Sequence, residues 1–331
     1  MKKFTNAAGS VVAESLAGFV GAHPDLVVFG GEGKFVRRLH LVPGKVAVIS
    51  GGGGGHEPMH AGFVGRGMLD AACTGHVFTS PTPDQIAAAI AGTDTGAGCL
   101  LVVKNYDGDV MNFEMAAEMA AGRHRIETVI VGDDVSPGGS ARSHGRRGLA
   151  GTLIVEKLLG AAAEAGADVA ALKTAGDALG GRIRTMGVAW RGVALPETRR
   201  ETFSLDEEEM EVGIGIHGEP GRQRAAFATA DAIVERMTAA ILADLPQADR
   251  ERALLIVNGL GGTPPSDLYL AQHLARRRVE AAGATVARTL TGTFATSLDM
   301  AGLSLTVCLL SEAELALWDA PVATGALRWR A

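Results

Sequence analysis

The sequence predicts an α/β protein of two α/β domains, each with a central mostly parallel or mixed sheet flanked by helices. Three observations predict it. Short apolar runs ending in glycine or polar turns recur through the first half, alanine-rich stretches of helical composition alternate with them, and the alternation resumes after a strongly charged interval.

The elements follow in order. DLVVFGG (25–31), KVAVISGG (45–52), CLLVVKNYDGD (99–109) and ETVIVGDD (127–134) read as buried strands. PDQIAAAIAGTD (83–94) and MNFEMAAEMAAG (111–122) read as the helices between them, and 146–187 as a long helix, a turn and a second helix. PETRRETFSLDEEEME (196–211) is charged and lacks an apolar period, so a linker or exposed excursion falls there. This sets the expected domains at 1–195 and 196–331. The second domain then reads as EVGIGIHGEPG (211–221), a helix over 226–245, the strand ALLIVNGLGG (253–262), a helix over 265–283, and the runs TVARTL (285–290) and LSLTVCLL (303–310). In such sheets ligands gather at the strands' carboxyl ends, where the glycine run, Asp107, Asp109, Asp133 and Asp134 fall.

A chain of 331 residues with 47% apolar content can build two ordinary cores. Thirty-one basic against 37 acidic side chains give a net charge of −6 with no basic run, so nucleic acid is not an expected partner. Cys73, Cys99 and Cys308 match no CxxC spacing and leave an odd thiol, which fits packing residues in a reducing compartment. The amino-terminal apolar stretch is broken by Asn6, Ser10 and Glu14, and no later run is long enough to span a membrane. A soluble, cytoplasmic protein without a membrane partner is expected.

Three chemistries have a claim on VISGGGGGHEPMHAGF (48–63). His56, Glu57 and His60 satisfy the H-E-x-x-H zinc pattern, but Pro58 suits only a first helical turn and would cost His56 its phase with His60. A Walker-type loop would need a lysine and a hydroxyl residue where His56 and Glu57 stand. The third claim is a small-substrate site, in which backbone groups of Gly53, Gly54 and Gly55 face a polar ligand and His56 acts as general base. Its plain alternative is a tight turn with a solvated histidine.

Elsewhere, VVKNYDGDVMNF (102–113) ends a strand in Lys104, Asn105, Asp107 and Asp109. Asp109 could anchor a hydroxyl or assist a proton transfer, or simply cap the helix beginning near Val110. His217 stands between Gly215 and Gly218, and a neutral imidazole is nucleophilic enough to add to a carbonyl. His23, His40, His124 and His273 read as surface residues, while His76 and His144 stay open.

Seven segments together resemble the substrate-binding K subunit of dihydroxyacetone kinase. They are the stretch from Gly51 to Gln85, VKNYDGDVMNFEMAAE, GRRGLAGT, EEEMEVGIGIHGEPG, NGLGGTPPSDLY, TSLDMAGLSLT and DAPVAT, and they occur in the family's order over almost the whole chain. The resemblance implies that His217 adds through Nε2 to a ketose carbonyl, giving a covalent hemiaminal, and that His56 activates the terminal hydroxyl. Backbone at Gly53 and the side chains of Lys104 and Asp109 would hold the substrate hydroxyls, with Asp109 sharing in proton transfer. One departure from the pattern is Gly54, where the family usually has serine. It opens the way to a four-carbon ketose such as erythrulose beside dihydroxyacetone.

No segment reads as a phosphate cradle with carboxylates for Mg²⁺, so no cofactor is expected in this chain. The resemblance places ADP or ATP with Mg²⁺ on a separate L subunit, with a phosphotransferase-system protein as one phosphoryl source, and implies a homodimer of the K subunit. The alternative it allows is a ketose-sensing transcriptional coregulator. Retention of both His56 and Asp109 favours the kinase, because a sensor needs capture but no base.

Overall fold

The protein's structure, a computed structural model, describes residues 2–136, 145–219, 221–246 and 252–330. His144 lies outside the described residues. The chain divides into two compact units. One comprises Gly9–Val131, Thr152–Gly180 and Glu312–Ala331, the other Met1–Ala8, Gly132–Gly151 and Gly181–Ser311. The boundary expected between residues 195 and 196 therefore does not separate them.

In the first unit the strands are β1 (Val27–Gly30), β2 (Phe35–Arg38), β3 (Ala47–Gly54), the short β4 (Gly65–Arg66), β5 (Ala71–Val77), β6 (Cys99–Lys104) and β7 (Ile126–Val131). Its helices are α1 (Val11–Ala22), α2 (Pro83–Thr93), α3 (Asp107–Ala120), α4 (Gly151–Glu164), whose first residue falls in the other unit, and α5 (Val169–Gly180). The main sheet runs β1-β2-β5-β3-β6-β7. Strands β5, β3, β6 and β7 pair in parallel, while β2 and β1 join antiparallel. Every residue of β3 and β6 is buried, which is why these strands read as apolar or small-residue runs rather than as alternating ones. Ile49, Leu101 and Val103 share one core with Ile86 and Ile90 of α2 and Phe113 of α3. Each such side chain contributes roughly 1.5–3 kcal/mol when fully buried.

Helix α2 opens on Pro83 at its first position, with the Thr82 N–H donating to Gln85 Oε1 at 2.9 Å. Its buried set, Ile86, Ala89, Ile90 and Thr93, has helical spacing. Helix α3 begins earlier than the sequence suggested, at Asp107 with Tyr106 before it. Its buried face is Asp109, Phe113, Ala116 and Ala120, so the Asp109 side chain shares a stripe with core residues. Asp109 lies inside the first turn and is not the cap.

The second unit contains β8 (Ile183–Arg191), β9 (Glu209–Val212), β10 (Gln223–Ala226), β11 (Arg252–Gly259), β12 (Thr285–Gly292) and β13 (Ala301–Leu309), ordered β10-β9-β8-β13-β11-β12. Only β11 and β12 pair in parallel. Helices α6 (Ala230–Asp244) and α7 (Pro265–Ala281) bury Ile233, Met237, Ile241, Leu268 and Ala275 with Leu255, Val257, Leu305 and Val307. Strand β8 belongs to this sheet, so residues 196–208 are a mostly exposed excursion between β8 and β9 rather than an interdomain linker. After β13 the chain returns to the first unit through α8 (Glu312–Asp319), β14 (Val322–Thr324) and β15 (Arg328–Trp329). There β14 pairs with β4, Ala323 opposite Arg66.

No described helix is long and apolar enough to cross a membrane. All three cysteines are free and buried. Burial pushes the thiols of Cys73 and Cys99 up, as suits packing residues.

Candidate functional site

The glycine run is mostly strand. Gly51 to Gly54 lie in β3 and pair with Cys73, Thr74, Gly75 and Val77 of β5, so on that side their backbone is committed to a sheet, and the run is extended strand instead of a phosphate cradle. What the glycines permit is close approach. A Cβ at Gly52 would run into Lys104 Nζ, and one at Gly53 would come within 2.5 Å of the Thr79 nitrogen and 2.7 Å of the Phe78 Cα. At Gly54 the added atom would meet Val12 Cγ2 at 2.6 Å, so the position where the resembled family has serine faces α1.

Gly55 leaves the strand with φ 94°, and its N–H donates to both carboxylate oxygens of Glu57 at 3.1 Å. Residues 57–60 then form turns, followed by a 3-10 helix at Ala61–Phe63. The H-E-x-x-H pattern thus lacks the helix it would need. His56 is fully buried, with its ring stacked on Phe78 at 5.2 Å between centroids and 25° between planes. Phe78 has φ 53°, a strained conformation for a bulky residue, and its N–H donates to Gly54 O at 2.9 Å.

Lys104, at the end of β6, is completely buried and donates from Nζ to Gly51 O at 3.1 Å and to His60 Nε2 at 2.9 Å. Asp109 Oδ2 lies 3.4 Å from the same nitrogen and has no hydrogen-bond partner among the described residues. On its other side, the His60 ring places Nδ1 2.5 Å from Glu156 Oε1 and 3.1 Å from Ser50 Oγ, whose hydroxyl donates to Val102 O at 2.7 Å. Loss of solvation, and then the Lys104 charge, hold the His60 imidazole well below its ordinary pKa. Burial pushes the Glu156 carboxyl up to about 8.

His217 lies in the second unit, in the loop joining β9 to β10. Gly213 (φ 77°) and Gly218 (φ 74°) take left-handed conformations that let the loop turn on either side of it. Its ring residue is half-buried, and its backbone N–H donates to Glu219 Oε2 at 3.1 Å. The other oxygen, Glu219 Oε1, accepts from Arg147 Nη1 at 3.0 Å. Buried Arg147 also donates to Asp134 Oδ2 at 2.7 Å, to Ser136 Oγ at 3.2 Å and to Gly213 O at 2.7 Å. Asp133 accepts the N–H groups of Leu149 at 2.6 Å and Gly151 at 2.8 Å. The two aspartates at the end of β7 therefore hold the scaffold.

Gly53, Gly54, Gly55, His56, Lys104 and Asp109 all fall in the first unit, around the ends of β3 and β6 and the start of α3. Sequence reasoning missed Ser50, Phe78, Glu156, Arg147 and Glu219, and weighed His60 only as a zinc ligand. Glu156 had a signal: it is an acid inside the apolar run TLIVEKLLG, on a helix where Leu153, Ile154, Val155, Leu158 and Leu159 are buried.

A family model described as the Dak1 domain matches residues 17–326. The dihydroxyacetone-binding subunit DhaK of PTS-dependent dihydroxyacetone kinase 1 from Listeria innocua is 44% identical, over 94% of this chain and 95% of its own. Among solved structures, the dihydroxyacetone kinase operon co-activator Dha-DhaQ superposes with a TM-score of 0.89 at 33% identity, covering 97% of this chain and 98% of that one. The dihydroxyacetone kinase from C. freundii, in complex with AMP-PNP and Mg²⁺, superposes at 0.88 with 34% identity, covering 99% of this chain and 61% of that one. A match of this extent, with the motifs in place, makes the chain a member of the Dak1-domain family, on the DhaK branch of dihydroxyacetone-binding subunits.

Proposed function

We propose that this chain is the ketose-binding subunit of a dihydroxyacetone-type kinase, a phosphotransferase acting on an alcohol group. His217 Nε2 adds its lone pair to the ketose carbonyl, the ring gives up one proton and the carbonyl oxygen gains one, leaving a neutral hemiaminal. His56 takes the proton of the terminal hydroxyl as that oxygen attacks phosphorus. Gly53 backbone, Lys104 and Asp109 hold the hydroxyls. The observation that carries this reading is the buried Lys104–Asp109 pair, in which Asp109 Oδ2 has no hydrogen-bond partner among the described residues. A buried carboxylate oxygen left in that state suits a polar ligand. The DhaK relative is named as PTS-dependent and the C. freundii kinase holds AMP-PNP and Mg²⁺, which supports a separate L subunit bringing ADP or ATP with Mg²⁺. The chain works as a homodimer in this reading.

A coregulator is the second reading, since Dha-DhaQ is so similar in structure. Buried His56 beside strained Phe78 favours the kinase, because capture alone needs no base. Dihydroxyacetone is preferred to erythrulose, because Val12 fills the space next to Gly54. The test combines the purified chain with candidate L subunits, each ketose, and either ATP with Mg²⁺ or a phosphotransferase-system donor. Turnover is expected only with an L subunit, and faster with dihydroxyacetone. Ketose binding without turnover under every combination would overturn the kinase reading.

A further inference from the structure

Lys104 carries three N–H donors on one nitrogen, and the fold commits two of them. Gly51 O takes one at 3.1 Å and His60 Nε2 takes another at 2.9 Å. The third is left on the side of Asp109 Oδ2, which at 3.4 Å is too distant for a good hydrogen bond and itself lacks a hydrogen-bond partner. A ligand hydroxyl can accept from one group and donate to the other at once, so this donor and acceptor together select a hydroxyl. Which N–H remains depends on His60. An ammonium has no lone pair, so His60 Nε2 must be the acceptor, and in a neutral imidazole the proton must then sit on Nδ1. The atom that meets Nδ1–H is Glu156 Oε1 at 2.5 Å.

We infer that Glu156, acting through His60, is a positioning residue for Lys104: by accepting from His60 Nδ1–H it keeps Nε2 as an acceptor, which orients the ammonium toward the ketose hydroxyl at Asp109. The inference rests on the kinase reading for the identity of the ligand, but not for the relay itself. All four side chains are almost wholly buried, so bulk water does not offer the proton an alternative acceptor. Ser50 Oγ, 3.1 Å from Nδ1, spends its own proton on Val102 O and so can only accept from the ring, which favours the same tautomer. The pKa directions agree: His60 is held neutral by burial and by Lys104, and a neutral Glu156 still offers its carbonyl oxygen to Nδ1–H.

The test is the tautomer of His60, read in the full chain by long-range proton–nitrogen NMR of the imidazole. The wild-type ring is expected as the Nδ1–H form. Glu156→Gln can present its amide oxygen to the ring and should keep that form, together with ketose affinity. Glu156→Leu removes the acceptor, and should mix the tautomers and raise KM for dihydroxyacetone about tenfold in the reconstituted kinase, the scale of one charge-assisted hydrogen bond. In that variant kcat should fall less than KM rises. A wild-type ring that is Nε2–H or doubly protonated would overturn the relay, and this holds even if Glu156→Leu fails to fold. A folded Glu156→Leu chain with unchanged tautomer and KM would overturn it as well. If the wild-type ring is Nδ1–H but dihydroxyacetone does not bind, the relay stands and the functional reading falls.

Discussion

Glu219 links two groups at once: one carboxylate oxygen accepts from Arg147 Nη1 at 3.0 Å while the other accepts from the backbone N–H of His217 at 3.1 Å. A buried arginine thus grips the loop that carries His217. Glu219→Ala should loosen that loop and weaken dihydroxyacetone capture several-fold while changing the unfolding midpoint little, because Glu219 is only half-buried. Arg147→Met should behave differently, since it leaves the buried Asp134 without its charged partner, and about 3–5 kcal/mol of stability should go. Titration with the ketose and urea unfolding of both variants separate the two effects. Equal loss of stability in both would refute the division of labour.

His56 and His217 should separate by step. His56→Ala is expected to retain capture and lose on the order of a hundredfold to ten-thousandfold in turnover, the usual contribution of a general base. His217→Ala should lose the tetrahedral carbon signal from labelled dihydroxyacetone and require much more substrate, with a smaller effect on the phosphoryl step. Carbon NMR of the bound ketose and steady-state kinetics with the L subunit read both. A tetrahedral signal persisting in His217→Ala would assign the covalent bond elsewhere.

The contact between Gly54 and Val12 predicts a coupled pair. Gly54→Ser should destabilise the chain by about 1–3 kcal/mol, because its Cβ meets Val12 Cγ2 at 2.6 Å. Adding Val12→Ala should recover most of that loss, so the two changes will not be additive. Chemical denaturation of the four chains in the cycle provides the measurement. Strict additivity would mean that the serine turns away from α1.

Glu156 makes stability depend on pH. Its pKa is about 8 in the folded chain against an ordinary 4.5, so the folded state keeps a proton that the unfolded chain has lost. That contribution is fully present below about 4.5 and is lost as pH rises through about 8. Relative to Glu156→Gln, which does not titrate, the wild type should therefore lose stability progressively between about pH 4.5 and about pH 8. His60 acts in the opposite sense: its folded pKa is depressed, so its contribution is lost as pH falls below its ordinary 6.5, and the ring is present in both chains. Lys157, pushed down to about 8 by burial, is common to both chains and cancels in the comparison. Parallel pH profiles for the two proteins would show that Glu156 is ionised in the fold.

What the sequence made legible was local. Strands β3, β6, β7 and β11 announce themselves as apolar runs, and α2 and α7 as periodic segments behind prolines. Strand β8 was read as the end of a helical region, because Arg184, Thr185 and Gly187 interrupt its apolar residues. Strand β5, AACTGHV, was missed because small residues against the glycines of β3 give little hydropathy signal. The candidate residues named from the resemblance each sit in a short motif, which is why the sequence could display them. The His60–Glu156 contact spans 96 positions, and Arg147 reaches Glu219 across 72, separations that no local spacing encodes. The glycine run itself was read as a ligand loop, whereas most of it is strand whose missing side chains make room for Lys104 and the Phe78–Thr79 backbone.

The interleaving of the two units has a consequence during synthesis. The ribosome releases β1 to β7 first, but β4 belongs to a separate three-stranded sheet, β15-β14-β4, and its partner Val322–Thr324 emerges some 250 residues after Gly65–Arg66. Between those events the chain makes every strand of the second sheet, from β8 to β13. The inner unit therefore has its residues in hand before the outer one does. A released chain truncated after Ser311 should already protect β11 and β13 from proteolysis, while the segment around Gly65 stays open to cleavage unless Val322–Thr324 is present.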